Sequence, residues 1–286
     1  MKMAVIGCGL IGGSMALSWK RAGTVDEVIA FGHNPATLQK ALDKGAADTV
    51  TTSMEEAVKD ADIVVSAVPV EAMESVFTEM APFLKSDAVV TDVGSTRQTV
   101  IAAARKGLGD KFHQYAPAHP IAGGEMPGVD YASADLFDEK VVISTPDEGM
   151  DPKVVTFIEE AWRKAGARVQ AMSPLQHDLT FASVSHLPHV LAYALVDMIA
   201  REENAQEKLK MAGAGFRDFT RIASSSPVMW RDICLSNREA LSHELKRYRA
   251  SLDTLQKYID ESDGKALESV FENAVRNRRG LVFPGK

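Results

Sequence analysis

Three clusters in this chain combine residue types and spacings that could do chemistry. The first is Tyr115-Ala116-Pro117-Ala118-His119-Pro120-Ile121-Ala122-Gly123-Gly124-Glu125. Pro120 disfavours helix at His119 and keeps it extended or in a loop, where a side chain can face a cleft. An imidazole titrates near neutrality, so it suits taking a proton from a carbinol while hydride leaves the same carbon. A histidine between prolines is more often structural, and it is the position of His119 late in an α/β segment that weighs for catalysis. The second cluster is Ser185-His186-Leu187-Pro188-His189, inside the apolar stretch Phe181 to Met198. Its histidines share one helical face, and Pro188 is expected to kink or break that helix. Burying them without partners is costly. For His186 a core hydrogen bond and a functional role both stand as readings. No third ligand follows at a recognisable spacing, so no metal site is expected.

The third cluster runs from Gly213 to Ile222 and on through Ser224-Ser225-Ser226-Pro227-Val228-Met229-Trp230-Arg231-Asp232. Arg221 is the natural carboxylate anchor, because a guanidinium fork binds a carboxylate through two hydrogen bonds. Asp218, about one turn earlier, is placed to orient it. The alternative is a surface ion pair of negligible energy. Phe216, Phe219 and Trp230 favour a buried, functional arginine.

These clusters need a scaffold, and the N-terminus supplies its first part. Lys2 to Gly13 is an apolar β-like run leading into Gly7-Cys8-Gly9-Leu10-Ile11-Gly12, followed by a helix-like stretch from Ser14 to Arg21. The Gly-x-Gly-x-x-Gly spacing between strand and helix predicts a dinucleotide phosphate turn, with helix N–H groups facing the pyrophosphate. Gly7, Gly9, Leu10, Ile11 and Gly12 are therefore the predicted cofactor contacts. Apolar β-like runs recur at Val28 to Phe31, Asp62 to Val68, Ala88 to Val93, Lys140 to Ser144 and Ala167 to Ala171, separated by helical stretches. Such alternation implies βαβ units and a mostly parallel sheet. From Ser173-Pro174, which has the form of an N-cap and a first-turn proline, the pattern is helical to about Arg279. The expected fold class is α/β, a Rossmann-type dinucleotide-binding domain over 1–172 followed by an all-helical domain over 173–286.

About 20 residues past the glycines, where such folds test the ribose 2′ position, stands Phe31-Gly32-His33-Asn34-Pro35. With no acid there, nothing repels a 2′-phosphate, and His33 or Asn34 could meet it; the sequence leans to NADP. The other reading makes His33 a turn residue and leaves NAD bound through backbone groups.

The 286 residues, 45% hydrophobic and 25% charged, are ordinary globular material and long enough for two domains. A net charge of -7 argues against a nucleic-acid partner. Cys8 and Cys234 make no disulfide framework and fit a reducing compartment. A signal peptide is disfavoured by the glycines that interrupt the apolar run. No apolar run is expected to reach the roughly 18 residues that span a bilayer, so the expected setting is cytoplasmic, with no membrane partner.

The glycine turn, Asp92-Val93-Gly94-Ser95, His119 to Gly123, Ser185 to His189, Gly215 to Arg221 and Met229 to Asp232 occur in this order along nearly the whole chain. Together they resemble the prephenate dehydrogenase family of tyrosine biosynthesis, which includes cyclohexadienyl and arogenate dehydrogenases. The resemblance implies a nicotinamide cofactor, a helical dimerisation domain, a homodimer and an active site between the domains. It makes His119 the acceptor of the ring 4-hydroxyl proton, with Ser95 supporting that bond. Arg221 would hold a substrate carboxylate and His189 would contact the pyruvyl side chain, while Glu125 and Asp218 would supply polar contacts. His189 favours prephenate over arogenate, although Glu125 is a candidate for the ammonium group of arogenate. Gly32, where many NAD-using members carry an acid, departs from the pattern and bears on the cofactor. Two rivals remain. A β-hydroxyacid-type dehydrogenase is disfavoured because no lysine occurs between Lys164 and Lys208. A nucleotide-sensing protein without turnover is disfavoured by the presence of both His119 and Arg221.

Overall fold

The computed structural model describes residues 1–124 and 126–281. The chain begins β1 (Lys2–Ile6), α1 (Leu10–Arg21), β2 (Glu27–Phe31), α2 (Pro35–Asp43), β3 (Thr49–Thr51), α3 (Met54–Val58), β4 (Ile63–Ser66), α4 (Met73–Met80), β5 (Val89–Asp92), α5 (Gln98–Leu108) and β6 (Tyr115–Ala116). The six strands form one sheet in the order β3-β2-β1-β4-β5-β6, every pair parallel. Helices cover both faces, which is why Met3 to Ile6 and Ile63 to Val65 are continuous apolar runs and fully buried. The order reverses between β1 and β4, and ligands of such sheets lie at the carboxyl ends of the strands beside that switch.

A second, three-stranded sheet follows: β7 (Ala118–Pro120) pairs antiparallel with β8 (Val141–Ser144), which pairs parallel with β9 (Arg168–Ala171). Between these last two runs α6 (Pro152–Lys164). Trp162 meets Trp19 and Phe137 edge-on at 5.5 and 4.9 Å, fastening α6 to α1 and to the segment before β8. The sequence analysis anticipates all the longer strands but not β3, β6 or β7. These are two or three residues long, too short to show a periodic apolar pattern.

After Met172 the chain is helical: α7 (Pro174–Phe181), a π-helical turn (Ala182–His186), α8 (Leu187–Ala200), α9 (Ala205–Lys210), α10 (Ala214–Thr220), α11 (Pro227–Ser236), α12 (Arg238–Asp260) and α13 (Gly264–Arg279). Ser173 caps α7 by accepting from the N–H of Gln176 at 3.1 Å. Pro188 does not break the helix as expected. The chain takes one wide turn before it, and the Nδ1–H of His189 donates to the carbonyl of Ser185 at 2.9 Å, serving an acceptor in the turn where proline lacks an N–H.

One expectation about length is corrected. Pro174–Ala200 forms a continuous helical run of 27 residues containing an 18-residue window of mean hydropathy 1.4, long and apolar enough by those two measures to cross a membrane. Only 22% of its apolar window is buried within the chain, although His177 and Asp178 near its start are enclosed.

Candidate active site

At Gly7 the backbone has φ +93°, and a Cβ there would stand 2.7 Å from the carbonyl oxygen of Ala67. At Gly12 a Cβ would meet the carbonyl oxygen of Gly7 at 2.5 Å, so glycine is what lets α1 start against β1. A Cβ on Gly9 would meet no protein atom within 4 Å. That open approach, at the N-terminus of a helix whose first N–H groups lack a side-chain cap, fits the pyrophosphate of a dinucleotide. Leu10 and Ile11 begin that helix, partly buried.

At the end of β2, His33 is exposed and packs edge-on against Phe31 at 5.2 Å. The Oδ1 of Asn34 caps α2, accepting from the N–H of Ala36 at 2.9 Å, so half of that amide is already committed.

His119 lies in β7, just past the carboxyl end of β6 and hence on the ligand side of the parallel sheet. Its Nδ1 is 2.8 Å from the Nε2 of His177 on α7, and the Nδ1 of His177 is 2.9 Å from Asp178 Oδ1. Phe181, one turn on, stacks on His177 at 4.4 Å and packs against His119 at 5.1 Å. Asp178 also accepts from the backbone N–H groups of Arg97 at 2.7 Å and Gln98 at 2.9 Å, so a carboxylate from the helical half caps α5 in the nucleotide half.

Beneath this lies a buried ion pair. Arg97, with no exposed surface, donates through both terminal nitrogens to the two oxygens of Asp92, each at 2.8 Å. It also donates to the Gly94 carbonyl at 2.7 Å and to Thr145 Oγ1 at 3.2 Å, while the hydroxyl of Tyr115 donates to Asp92 at 2.5 Å. So complete a set of hydrogen bonds is what permits a charge pair in a dry interior.

These surroundings set the protonation states. Burial, then the His177 ring and the Arg97 guanidinium, hold His119 well below the usual imidazole range, so at neutral pH it is an acceptor. Burial also lowers His177, against the pull of Asp178. Asp178 would be raised by burial, but hydrogen bonds from His177 and from the two backbone N–H groups outweigh it and keep the carboxylate ionised.

The other predicted residues separate. His186 is 1% exposed, and its Nδ1 accepts from Asn237 at 3.1 Å; burial pushes it down to about 4. It is a core histidine and not the substrate contact predicted as one option. His189 is half-buried and stacks on the Trp230 indole at 3.6 Å with 20° between planes. Burial lowers its pKa, opposed by the Ser185 bond, and the nearby Arg221 guanidinium lowers it further. Arg221 is exposed on a short 3-10 turn after α10, and α10 has no buried residue, so the expected burial of this arginine is corrected. Of the aromatic residues expected to enclose it, Trp230 is buried, Phe216 is half-buried and Phe219 is open at 45% exposure. Asp218 is exposed too and stands 3.7 Å from Arg217 Nε. Ser95 is partly buried in the β5–α5 loop and makes no hydrogen bond to His119 among the described residues. Glu125 lies outside the described residues.

Sequence reasoning passed over Arg97, His177, Asp178 and Asn237. The adjacent His-Asp pair in an otherwise apolar helix was the one available cue. Among the described residues no group of three or more metal-ligating side chains converges. A groove of about 580 Å³ bounded by Gln98, Ile101, Arg105 and Leu175 holds none of the predicted site residues.

Comparison with known proteins bears on the whole length. Residues 15–171 match the family model described as prephenate dehydrogenase, nucleotide-binding domain, and residues 173–273 match that for the prephenate dehydrogenase dimerization domain. The chain is 36% identical to cyclohexadienyl dehydrogenase of Zymomonas mobilis, over 98% of itself and 95% of that protein. It is 35% identical to prephenate dehydrogenase of Bacillus subtilis, over 98% of itself and 76% of that protein. Among solved structures it is similar to Aquifex aeolicus prephenate dehydrogenase in complex with hydroxyphenyl propionate and NAD+, with TM-score 0.90, 34% identity and 98% of each chain covered. Synechocystis arogenate dehydrogenase follows it at TM-score 0.82 and 27% identity, over 99% of this chain and all (100%) of that one. A Rossmann-type domain with a histidine at its ligand edge, a helical domain closing over it and two family models in tandem lead to one conclusion: the chain is a dehydrogenase belonging to the prephenate dehydrogenase family.

Proposed function

We propose that this enzyme oxidises prephenate to 4-hydroxyphenylpyruvate, with loss of the ring carboxylate as carbon dioxide and reduction of NAD or NADP. The carrying observation is the state of His119. Its Nδ1 is engaged by His177, which leaves Nε2 as the ring nitrogen able to accept a proton. In the reaction Nε2 takes the proton of the 4-hydroxyl, and the O–H electron pair becomes the new C=O bond as hydride leaves C4. The bound nicotinamide supplies the hydride acceptor. The C–CO2 bond then breaks and its electrons aromatise the ring. Ser95 supports the hydroxyl, Arg221 holds a substrate carboxylate, and His189, backed by Trp230, meets the pyruvyl group. Glu125 and Asp218 are the proposed further polar contacts to the substrate. Holding these groups in one pose is the larger part of the acceleration.

The acid-free turn Gly32-His33-Asn34 supports a preference for NADP. A Cβ at Gly32 would meet only Leu38, at 3.4 Å, so Gly32→Asp fits sterically. That variant is expected to lower kcat/KM with NADP at least tenfold against NAD; an unchanged ratio would dissociate residue 32 from the choice. The dimerization-domain match supports a homodimer formed through the helical half. The free thiols of Cys8 and Cys234 suit a reducing cytoplasm.

The deciding experiment follows reduced nicotinamide absorbance with prephenate and with arogenate, each with NAD and NADP. Turnover with prephenate is expected to dominate. Turnover with arogenate at equal efficiency would make this a cyclohexadienyl dehydrogenase, as the Zymomonas relative is named. Silence in all four, with cofactor bound, would refute the reading.

A further inference from the structure

We infer that His177 and Asp178 are positioning residues for His119: the carboxylate–imidazole–imidazole chain fixes which nitrogen of His119 is free to accept a proton, and balances the charge that acceptance creates. This rests on His119 being the base of the proposed reaction.

The logic begins at the buried end. An ionised carboxylate only accepts hydrogen bonds, and Asp178 accepts from two backbone N–H groups as well as facing His177 Nδ1 at 2.9 Å. His177 therefore carries its proton on Nδ1. In its neutral form its lone pair is on Nε2, which faces His119 Nδ1 at 2.8 Å. His119 must carry its proton on Nδ1, since the other tautomer would set two lone pairs against each other. Its Nε2 is left bare. Phe181 stacks on His177 and packs against His119, so the rings are held in the planes the hydrogen bonds require.

Charge follows the same line. The groups around His119 are Arg97, Asp92, Tyr115, His177, Asp178 and His186. With Arg97 cationic, the two carboxylates anionic and the rest neutral, the cluster holds one net negative charge. Asp92 already neutralises Arg97 through two hydrogen bonds. The unspent charge is that of Asp178. When the substrate O–H bond breaks and its proton joins His119 Nε2, the imidazolium donates through Nδ1 to His177, which donates to Asp178, and the cluster becomes neutral. A buried imidazolium beside Arg97 without that carboxylate would be strongly disfavoured.

The test compares wild type with His177→Leu, His177→Gln and Asp178→Asn, reading kcat, KM and the pH profile of kcat/KM with prephenate, and cofactor affinity separately. Leucine removes the acceptor; glutamine returns an amide oxygen at the reach of the lost Nε2. His177→Leu should lose about 10²- to 10³-fold in kcat, within the range for general base catalysis, with KM and cofactor affinity changed by no more than about twofold. His177→Gln should restore at least tenfold. In Asp178→Asn the acid limb of kcat/KM should move to lower pH, because the imidazolium has lost its carboxylate. Wild-type kcat in the leucine variant, no rescue by glutamine, or an unmoved acid limb overturns the inference. Should the variants fail to fold, ¹⁵N-histidine NMR of the wild type reads the tautomers directly: both rings protonated on Nδ1 is expected, and an Nε2–H tautomer at His119 refutes it. Absence of wild-type turnover would instead fail the functional reading and leave the tautomer measurement standing.

Discussion

The two halves of the molecule bury their apolar residues very differently. The nucleotide half, through Ala167, holds one contiguous core in which whole strands and both faces of the sheet are sealed. After Met172 the buried apolar residues among those described are Phe181, Ala182, Leu187, Ala192, Trp230, Ile233 and Leu241, while Leu179, Val184, Met198, Leu235, Ile259 and Phe271 stand open. A parallel sheet wrapped by its own helices satisfies itself; helices with uncovered stripes need a further surface. The dimerization-domain match assigns this half the role such stripes suit. In the proposed reaction the base, His119, comes from the self-sufficient half, while its backing pair His177-Asp178 and the proposed substrate contacts come from the other.

The sharpest way to break this division is His119→Ala. Loss of the base should lower kcat by about 10²- to 10⁴-fold while dinucleotide affinity, read by nicotinamide fluorescence, stays near wild type. Lost cofactor binding would show that the halves do not divide the work this way. Next in size is a stability effect inside the helical half. His186 is neutral when folded, with its pKa down from 6.5 to about 4. Between those values the unfolded chain binds the extra proton, so stability present above 6.5 is lost as pH falls towards 4, by roughly 3 kcal/mol. His186→Asn keeps an acceptor for Asn237, and denaturant melts at pH 7 and pH 4.5 should lose that part of the pH dependence; an unchanged dependence would place the titration elsewhere. The smallest effect is Arg221→Ala. Removing one charged hydrogen-bonding group should cost about 1.5–3 kcal/mol, a ten- to hundredfold rise in KM for prephenate, with kcat less affected. An unmoved KM would take Arg221 out of the grip.

The same contrast explains what was legible in the sequence. Val28 to Phe31 and Ala88 to Val93 announce themselves because burial on both faces makes them uniformly apolar. Gly7 and Gly12 are readable because the close contacts there leave no alternative residue. His119 stands out through its prolines. Arg97 does not, since an arginine before a helix looks like solvent-facing charge, and only the fold shows it sealed against Asp92. His177 and Asp178 are adjacent in sequence, yet their partners, His119 and the N–H groups of Arg97 and Gln98, lie 58 to 81 residues away. The burial expected for Arg221 fails for the complementary reason. Trp230 nearby is buried, but Phe219 is open, so in this half apolar character does not by itself mean interior.

The wide turn at Ala182–His186 acts as a phase shifter in a 27-residue rod. An α-helix advances about 100° and about 1.5 Å per residue. Deleting one residue from that turn would leave His177 and Asp178 where they are but swing everything beyond by more than a quarter revolution. His189 would come off the Trp230 face and His186 away from Asn237. One surplus residue thus keeps His177 and Asp178, which face His119, in step with His186 against Asn237 and His189 against Trp230.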